Sequence, residues 1–147
     1  YTTCRLDYIK AVKLLEGFDG YDEAHARLES ELPYIWGVSF ANRRKDILCM
    51  KLHIDEKREA YVLERLQREG RGGEVLKVAE NTFLYTAELF DTGEISTWVK
   101  TFTGRIISLE GSDKTVIDRF YRDMKRMKAI YLDEPADAQD DNGVKEG

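Results

Sequence analysis

Cationic side chains are the residues of this chain whose types and positions best suggest a chemical role. Arg43 and Arg44 precede a predicted strand, Lys51 lies within that strand, and Arg105 directly follows Gly104. Arginine and lysine bind carboxylates and phosphates through charge-assisted hydrogen bonds, and a glycine lets a ligand approach the backbone closely. The four cations are therefore candidate contacts for an anionic ligand. The alternative is that they are ordinary solvated charges.

Side chains that perform catalysis or bind metal ions do not cluster in the sequence. His25 and His53 lie on different predicted elements, and Cys4 and Cys49 are far apart, so no zinc-binding spacing is present. Gly70-Arg71-Gly72-Gly73 is as glycine-rich as a phosphate-binding loop, but it follows a predicted helix and is interpreted as a helix stop. The sequence predicts a protein that is not an enzyme and that uses no cofactor or metal ion.

Strand and helix patterns alternate along the part of the chain that positions these cations. Apolar alternation predicts a strand from Ile47 to Ile54, with Lys51 and His53 on the face opposite the apolar side chains. The elements predicted next are a helix at 55–69, strands at 74–78 and 83–90, a helix with the stripe Ile95, Trp98, Val99 and Phe102, a strand at 105–109 and a long helix after Asp113.

The order βαββαβ predicts an α+β, ferredoxin-like antiparallel sheet with helices on one face and a closing C-terminal helix. The other sheet face would stay open, as in several modules that bind single-stranded nucleic acid. Leu84, Thr86 and Phe90 are expected beside Lys51 on that face. The side chains expected to pack the helices onto the sheet are Ala60, Tyr61, Val62, Leu63, Leu66, Val116, Ile117, Phe120, Met124, Met127 and Tyr131.

Residues 16–41 are predicted to form a helical linker. Asp22 can cap a helix that Pro33 ends near Leu32, and the aromatic side chains of Tyr34, Trp36 and Phe40 follow. Such an apolar run is unfavourable in water. It either packs on the domain that follows or forms a dimerisation contact between subunits.

Charge is unevenly distributed along the 147 residues. Of the 28 acidic and 23 basic residues, six acidic and one basic lie in 133–147, which leaves 22 of each in 1–132. The acidic end is predicted to be a disordered tail on an electrically neutral body. The chain has no long apolar run and no signal-peptide pattern, and the two cysteines fit free thiols, so a cytoplasmic protein without membrane contact is expected.

Two stretches of this sequence resemble WYL-domain proteins, a family of bacterial transcriptional regulators. Trp98, Val99, Phe102 and Gly104 match the C-terminal extension of that family, with Thr103 as one extra residue before the glycine and Gly111-Ser112-Asp113 where a proline is frequent. The second stretch matches the last strand of the WYL barrel through Arg5, Leu6, Asp7 and Ile9. Thr2, Cys4 and Tyr8 replace an arginine, an aromatic residue and a second arginine of that strand.

The resemblance implies a division of the chain into four parts. Residues 1–15 would be terminal strands of the barrel, 16–41 the linker, 42–132 the ferredoxin-like extension and 133–147 the tail. The absence of an initiator methionine at Tyr1 fits a fragment, with the Trp-Tyr-Leu signature and a DNA-binding domain upstream. Arg5 and Lys10 would then join the other cations in ligand binding.

Two functions of different classes are compatible with these observations. The resemblance implies a ligand-sensing and dimerisation region, a homodimer that binds single-stranded DNA or RNA or a nucleotide-like effector. Its residues would be Arg5, Lys10, Arg43, Arg44, Lys51 and Arg105 for the ligand, and Tyr34, Trp36 and Phe40 for dimerisation. The alternative is a protein–protein assembly module without a small ligand. A continuous positive groove joining Arg5, Lys51 and Arg105 would favour the first function.

Overall fold

The computed structural model describes residues 5–13, 15–17, 19–40 and 44–133. Its helices are α1 (Tyr21–Glu31), α2 (Ala60–Glu69), α3 (Thr92–Lys100) and α4 (Lys114–Tyr131), and its strands are β1 (Asp46–His53), β2 (Gly73–Ala79), β3 (Thr82–Leu89) and β4 (Ile106–Gly111). Short 3-10 turns occur at Leu6–Tyr8 and Leu32–Tyr34. The strands form one sheet in the order β2-β3-β1-β4, and neighbouring strands are antiparallel. This arrangement confirms the predicted α+β class and is compatible with a ferredoxin-like fold.

The strict alternation of β1 and β3 divides the sheet into two faces. Leu48 opposes Ala87, Met50 opposes Tyr85, and Leu52 opposes Phe83, and all six side chains are buried. Core residues Leu66 of α2, Ile95 and Val99 of α3, and Ile117 and Phe120 of α4 belong to the same cluster. Since successive side chains of a strand point to opposite faces, the intervening residues form a second face.

Polar side chains and glycines set the ends of the helices. Asp113 caps α4 by accepting a hydrogen bond from the Thr115 amide, as its position predicts. Gly104, after α3, has φ of 91°, a left-handed conformation that glycine adopts without steric cost. The helix predicted at 55–69 begins at Ala60, and the Asp55 carboxylate caps the turn before it by accepting from the amides of Lys57 and Arg58. Asp22 does not cap α1, whose N-cap is Gly20.

A side chain of α4 forms hydrogen bonds with free backbone groups of the edge strand β4. The Tyr121 hydroxyl accepts a hydrogen bond from the Leu109 amide at 3.0 Å and donates one to the Leu109 carbonyl at 3.2 Å. Both groups point away from β1 and would otherwise need water. Strand β2, at the opposite edge, pairs with β3 alone among the described strands.

The structure corrects several expectations about individual elements. The strands expected in 1–15 are not found in the described residues 5–13 and 15, where the 3-10 turn at Leu6–Tyr8 is exposed. A strand needs a neighbour for its backbone hydrogen bonds, and none lies beside this segment among the described residues. Ala60 and Tyr61 are exposed instead of packed. Met127 and Tyr131 are also exposed, by 38% and 76%, because α4 extends beyond the sheet after Met124.

Candidate functional site

The sheet face opposite the helices is not covered by any described element, and we call it the uncovered face. One row across it contains Leu76 of β2, Leu84 of β3, Lys51 of β1 and Ser108 of β4. The next row contains Glu74, Thr86, Cys49 and Glu110, and Ile47 and Glu88 form a pair beyond it. Ile47 and Leu76 each expose 48% of their surface. Leu84 and Thr86 therefore lie where the sequence predicted, whereas Phe90 is buried against Tyr34.

Charges of both signs lie on the uncovered face, with acidic residues in excess. Lys51 is its one lysine among the described residues, and it makes no ion pair with them. Glu74, Glu88 and Glu110 lie on the same face. Glu88 pairs with Lys45 at 3.9 Å, and Glu74 and Glu110 make no ion pair with the described residues. The excess of carboxylates disfavours a polyanion, because nucleic-acid binding rests mainly on cations that neutralise phosphates.

Arg105 is held by an acidic side chain away from the uncovered face. Its Nε donates to the Glu59 carboxylate at 3.0 Å, and a second guanidinium nitrogen bonds to the same oxygen. Glu59 directly precedes α2, on the helix side of the sheet. The hydrogen bond and charge of Arg105 lower the pKa of Glu59, and the carboxylate raises the pKa of Arg105. The Arg105 guanidinium thus already has an anionic partner.

The remaining predicted ligand contacts are spread over the molecule. Arg44 donates to Asp46 at 3.3 Å, where β1 begins, and the Arg105 carbonyl accepts from the His53 amide, where β1 ends. Eight residues of β1 separate these points, which corresponds to about 25 Å. Arg5 bonds to Asp7 in the exposed N-terminal segment that also contains Lys10. Arg43 lies outside the described residues. The candidate ligand contacts that the structure does describe lie on separate parts of the molecule and do not form one site.

The predicted dimerisation aromatics contact the domain that follows them, which is the first of the two packing alternatives. We call residues 34–40 the docked segment. Tyr34 and Phe40 both pack on Phe90, with ring centroids 5.8 and 6.4 Å away, and Trp36 packs on Trp98 at 4.9 Å. All three side chains are partly buried within one chain. A role in dimerisation stays a prediction.

A single carboxylate fixes the backbone of the docked segment. Glu94, in the first turn of α3, accepts hydrogen bonds from the amides of Gly37, Val38 and Ser39 at 2.9 to 3.2 Å. The Phe90 amide also donates to the Tyr34 carbonyl at 2.9 Å. A Cβ at Gly37 would lie 2.8 Å from the Glu94 carboxylate, so a larger residue at this position would displace the end of the Glu94 side chain. No local sequence pattern indicates this role of Glu94, since its partners are backbone groups 55 to 57 residues away.

A cavity of about 530 Å³ lies where the docked segment meets the end of α2, and we call it the tryptophan cavity. Its lining residues are Trp36, Arg68, Glu69, Arg71 and Trp98. This site was not predicted from the sequence, where Trp36 is a candidate for dimerisation or for packing on the following domain and Arg71 lies in a predicted helix stop. The helix stop itself is correct, because the Gly70 amide bonds to the Leu66 carbonyl and ends α2.

Comparison of the chain with protein-family models, curated proteins and solved structures found no match in any of the three. The described residues contain no group of three or more histidine, cysteine or acidic side chains arranged to hold a metal ion. Among the described helices, none combines the length and the apolarity of a membrane span.

Proposed function

We propose that this chain is a non-catalytic assembly module that pairs with a second copy of itself through the uncovered face. The observation that supports the proposal best is the composition of that face, which joins half-exposed aliphatic side chains to charges of both signs. In the WYL interpretation, the chain would supply the dimerisation part of a sensory region in a cytoplasmic regulator. The resemblance of Trp98, Val99, Phe102 and Gly104 to the WYL extension supports that context.

A second copy suits this face better than a nucleic acid does. In a dimer with two-fold symmetry the same patch meets itself, so it must be complementary to itself. Lys51 has no ion-pair partner among the described residues, and Glu74 and Glu110 lie in the neighbouring row. A two-fold axis near this row can bring each Lys51 opposite an acidic residue of the other copy. Leu76, Leu84 and Ile47 would then lose contact with water, which stabilises association.

The test is the mass of the protein in solution as a function of its concentration, measured by light scattering. The wild type is expected to approach the mass of a dimer. Leu84→Glu is expected to shift the protein to the monomer, since it places a further acid among apolar and acidic side chains. Ile130→Glu is the matched control, because Ile130 is 59% exposed on α4, away from the sheet, and this variant should associate like the wild type.

The ligand implied by the resemblance stays a second hypothesis, and the same proteins test it. Fluorescence anisotropy with labelled single-stranded DNA and RNA measures binding at several salt concentrations. Binding that weakens with salt, and that Lys51→Glu or Arg105→Ala reduces, would favour the nucleic-acid function. A monomeric wild type that binds no oligonucleotide would contradict both functions.

A further inference from the structure

We infer that the tryptophan cavity is a binding site for a small aromatic anion, a flat ring that carries a phosphate or carboxylate group. The cavity combines two indoles with two arginines in a volume of about 530 Å³, within the range of about 300 to 1,000 Å³ that small-molecule sites occupy. It lies on the helix side of the sheet, at the docked segment, so it is separate from the proposed assembly surface. The inference holds whether or not the chain dimerises.

The two tryptophans form a fixed apolar wall. Trp98 packs edge-on against Tyr85 and Phe102, with ring centroids 5.4 and 4.9 Å away, and its Nε1–H donates to Glu69 at 3.0 Å. Trp36 contacts Trp98 and immediately precedes the backbone amides that Glu94 holds. Because both rings are already positioned, an aromatic ligand can stack on this wall with little loss of side-chain freedom.

The cationic side of the cavity carries charge that is not neutralised internally. Among the described residues that line the cavity, Glu69 is the one acidic side chain. Both its oxygens accept hydrogen bonds: Oε2 from Arg65 at 2.8 Å and from Trp98, and Oε1 from Arg68 at 3.3 Å. The hydrogen bond from Arg65, followed by that from Trp98, lowers the pKa of Glu69 and keeps it ionised. Arg65 and Arg68 therefore share one carboxylate, and Arg71 adds a further positive charge to the cavity lining, so a positive excess remains.

Arg71 is the arginine most available to a ligand. It makes no ion pair with any described residue, and its backbone is held by tight packing of the glycines beside it. A Cβ at Gly70 would lie 2.8 Å from the Tyr85 ring, and one at Gly72 would lie 2.2 Å from the Pro33 carbonyl oxygen. Gly72 also has φ of 64°, which favours glycine. The loop thus presents a guanidinium, which binds phosphate or carboxylate through two parallel hydrogen bonds.

The chain contains a direct reporter for this site, because Trp36 and Trp98 are its two tryptophans. In ¹⁵N-labelled protein, titration is followed through the two indole N–H signals. The probes are phenyl phosphate and benzoate as aromatic anions, benzyl alcohol as a neutral ring, and inorganic phosphate as an anion without a ring. Both indole signals are expected to shift saturably with an aromatic anion. Whichever of phenyl phosphate and benzoate binds more tightly identifies phosphate or carboxylate as the natural group.

Variants of Arg71 separate binding from structural effects. Arg71→Ala is expected to weaken binding of the preferred anion about tenfold, the loss of roughly one charge-assisted hydrogen bond. Arg71→Lys should retain part of that affinity, and Arg126→Ala, an exposed arginine of α4, should bind like the wild type. Unchanged backbone amide signals establish that each variant is folded. The inference is overturned if no probe shifts the indole signals, if benzyl alcohol binds as tightly as the anions, or if Arg71→Ala binds like the wild type.

Discussion

Replacing Glu94 with alanine is expected to release the docked segment from the domain. The carboxylate accepts from three successive backbone amides, those of Gly37, Val38 and Ser39. A hydrogen bond to a charged group contributes about 1.5 to 3 kcal/mol, but water partly replaces the carboxylate at this exposed position. We therefore expect a loss of about 2 to 3 kcal/mol in docking free energy, less than three full contributions.

Hydrogen exchange of the individual backbone amides measures this loss. A change of about 2 to 3 kcal/mol corresponds to exchange roughly 30 to 150 times faster at residues 37–39. Amides of the buried strand β1 should exchange as in the wild type, because the sheet core does not depend on Glu94. Glu94→Gln keeps one acceptor oxygen and should give an intermediate rate. Glu64→Ala, at an exposed position of α2, is the matched control.

One result would refute this reasoning about the docked segment. If residues 37–39 exchange equally fast in the wild type and in Glu94→Ala, the carboxylate does not hold the segment in solution. The aromatic contacts of Tyr34 and Trp36 would then be its main attachment.

Two further predictions concern the stability of the sheet edge and the dependence of stability on pH. Tyr121→Phe removes the hydroxyl that bonds both backbone groups of Leu109, so urea denaturation should show a free energy of unfolding about 1 to 2 kcal/mol lower. The control Tyr131→Phe, at a residue that is 76% exposed, should leave the free energy of unfolding unchanged. Equal stability of Tyr121→Phe and the wild type would contradict the role of Tyr121 at the edge of β4. The pKa of Glu69 is lowered in the folded protein, first by Arg65, so its stabilising contribution is present above the ordinary carboxyl pKa and is lost as pH falls through the lowered value. Stability measured from about pH 6 to about pH 3 should therefore fall less steeply in Glu69→Gln than in the wild type, and identical slopes would contradict the assignment.

The element order and the two sheet faces could be predicted from the sequence because they depend on local periodicity. The alternation around Lys51 placed Leu48, Met50 and Leu52 on the core side, and the structure confirms it. The strands predicted at 74–78 and 83–90 leave a short gap, and the structure has a turn there in which Asn81 has φ of 52°.

Features that depend on contacts between distant residues could not be predicted in this way. The stripe of α4 continues to Met127 and Tyr131 in the sequence, but helical periodicity does not show where the sheet ends beneath it. Likewise, the position of Arg105 directly after Gly104 suggested a contact with a ligand, but its guanidinium bonds to Glu59, 46 residues earlier. The tryptophan cavity joins the docked segment to a loop after α2, so no local pattern indicated it.

Cys49 offers the most direct measurement of pairing through the uncovered face. It is a free, partly exposed thiol between Thr86 and Glu110, and a Cys4→Ser background makes it the single cysteine of the chain. The rate of its reaction with a thiol reagent is measured over a range of protein concentrations. Pairing predicts that the rate falls as the protein associates and stays constant in Leu84→Glu. A rate independent of concentration in a protein that light scattering shows to be dimeric would contradict the account, because the uncovered face would then lie outside the interface.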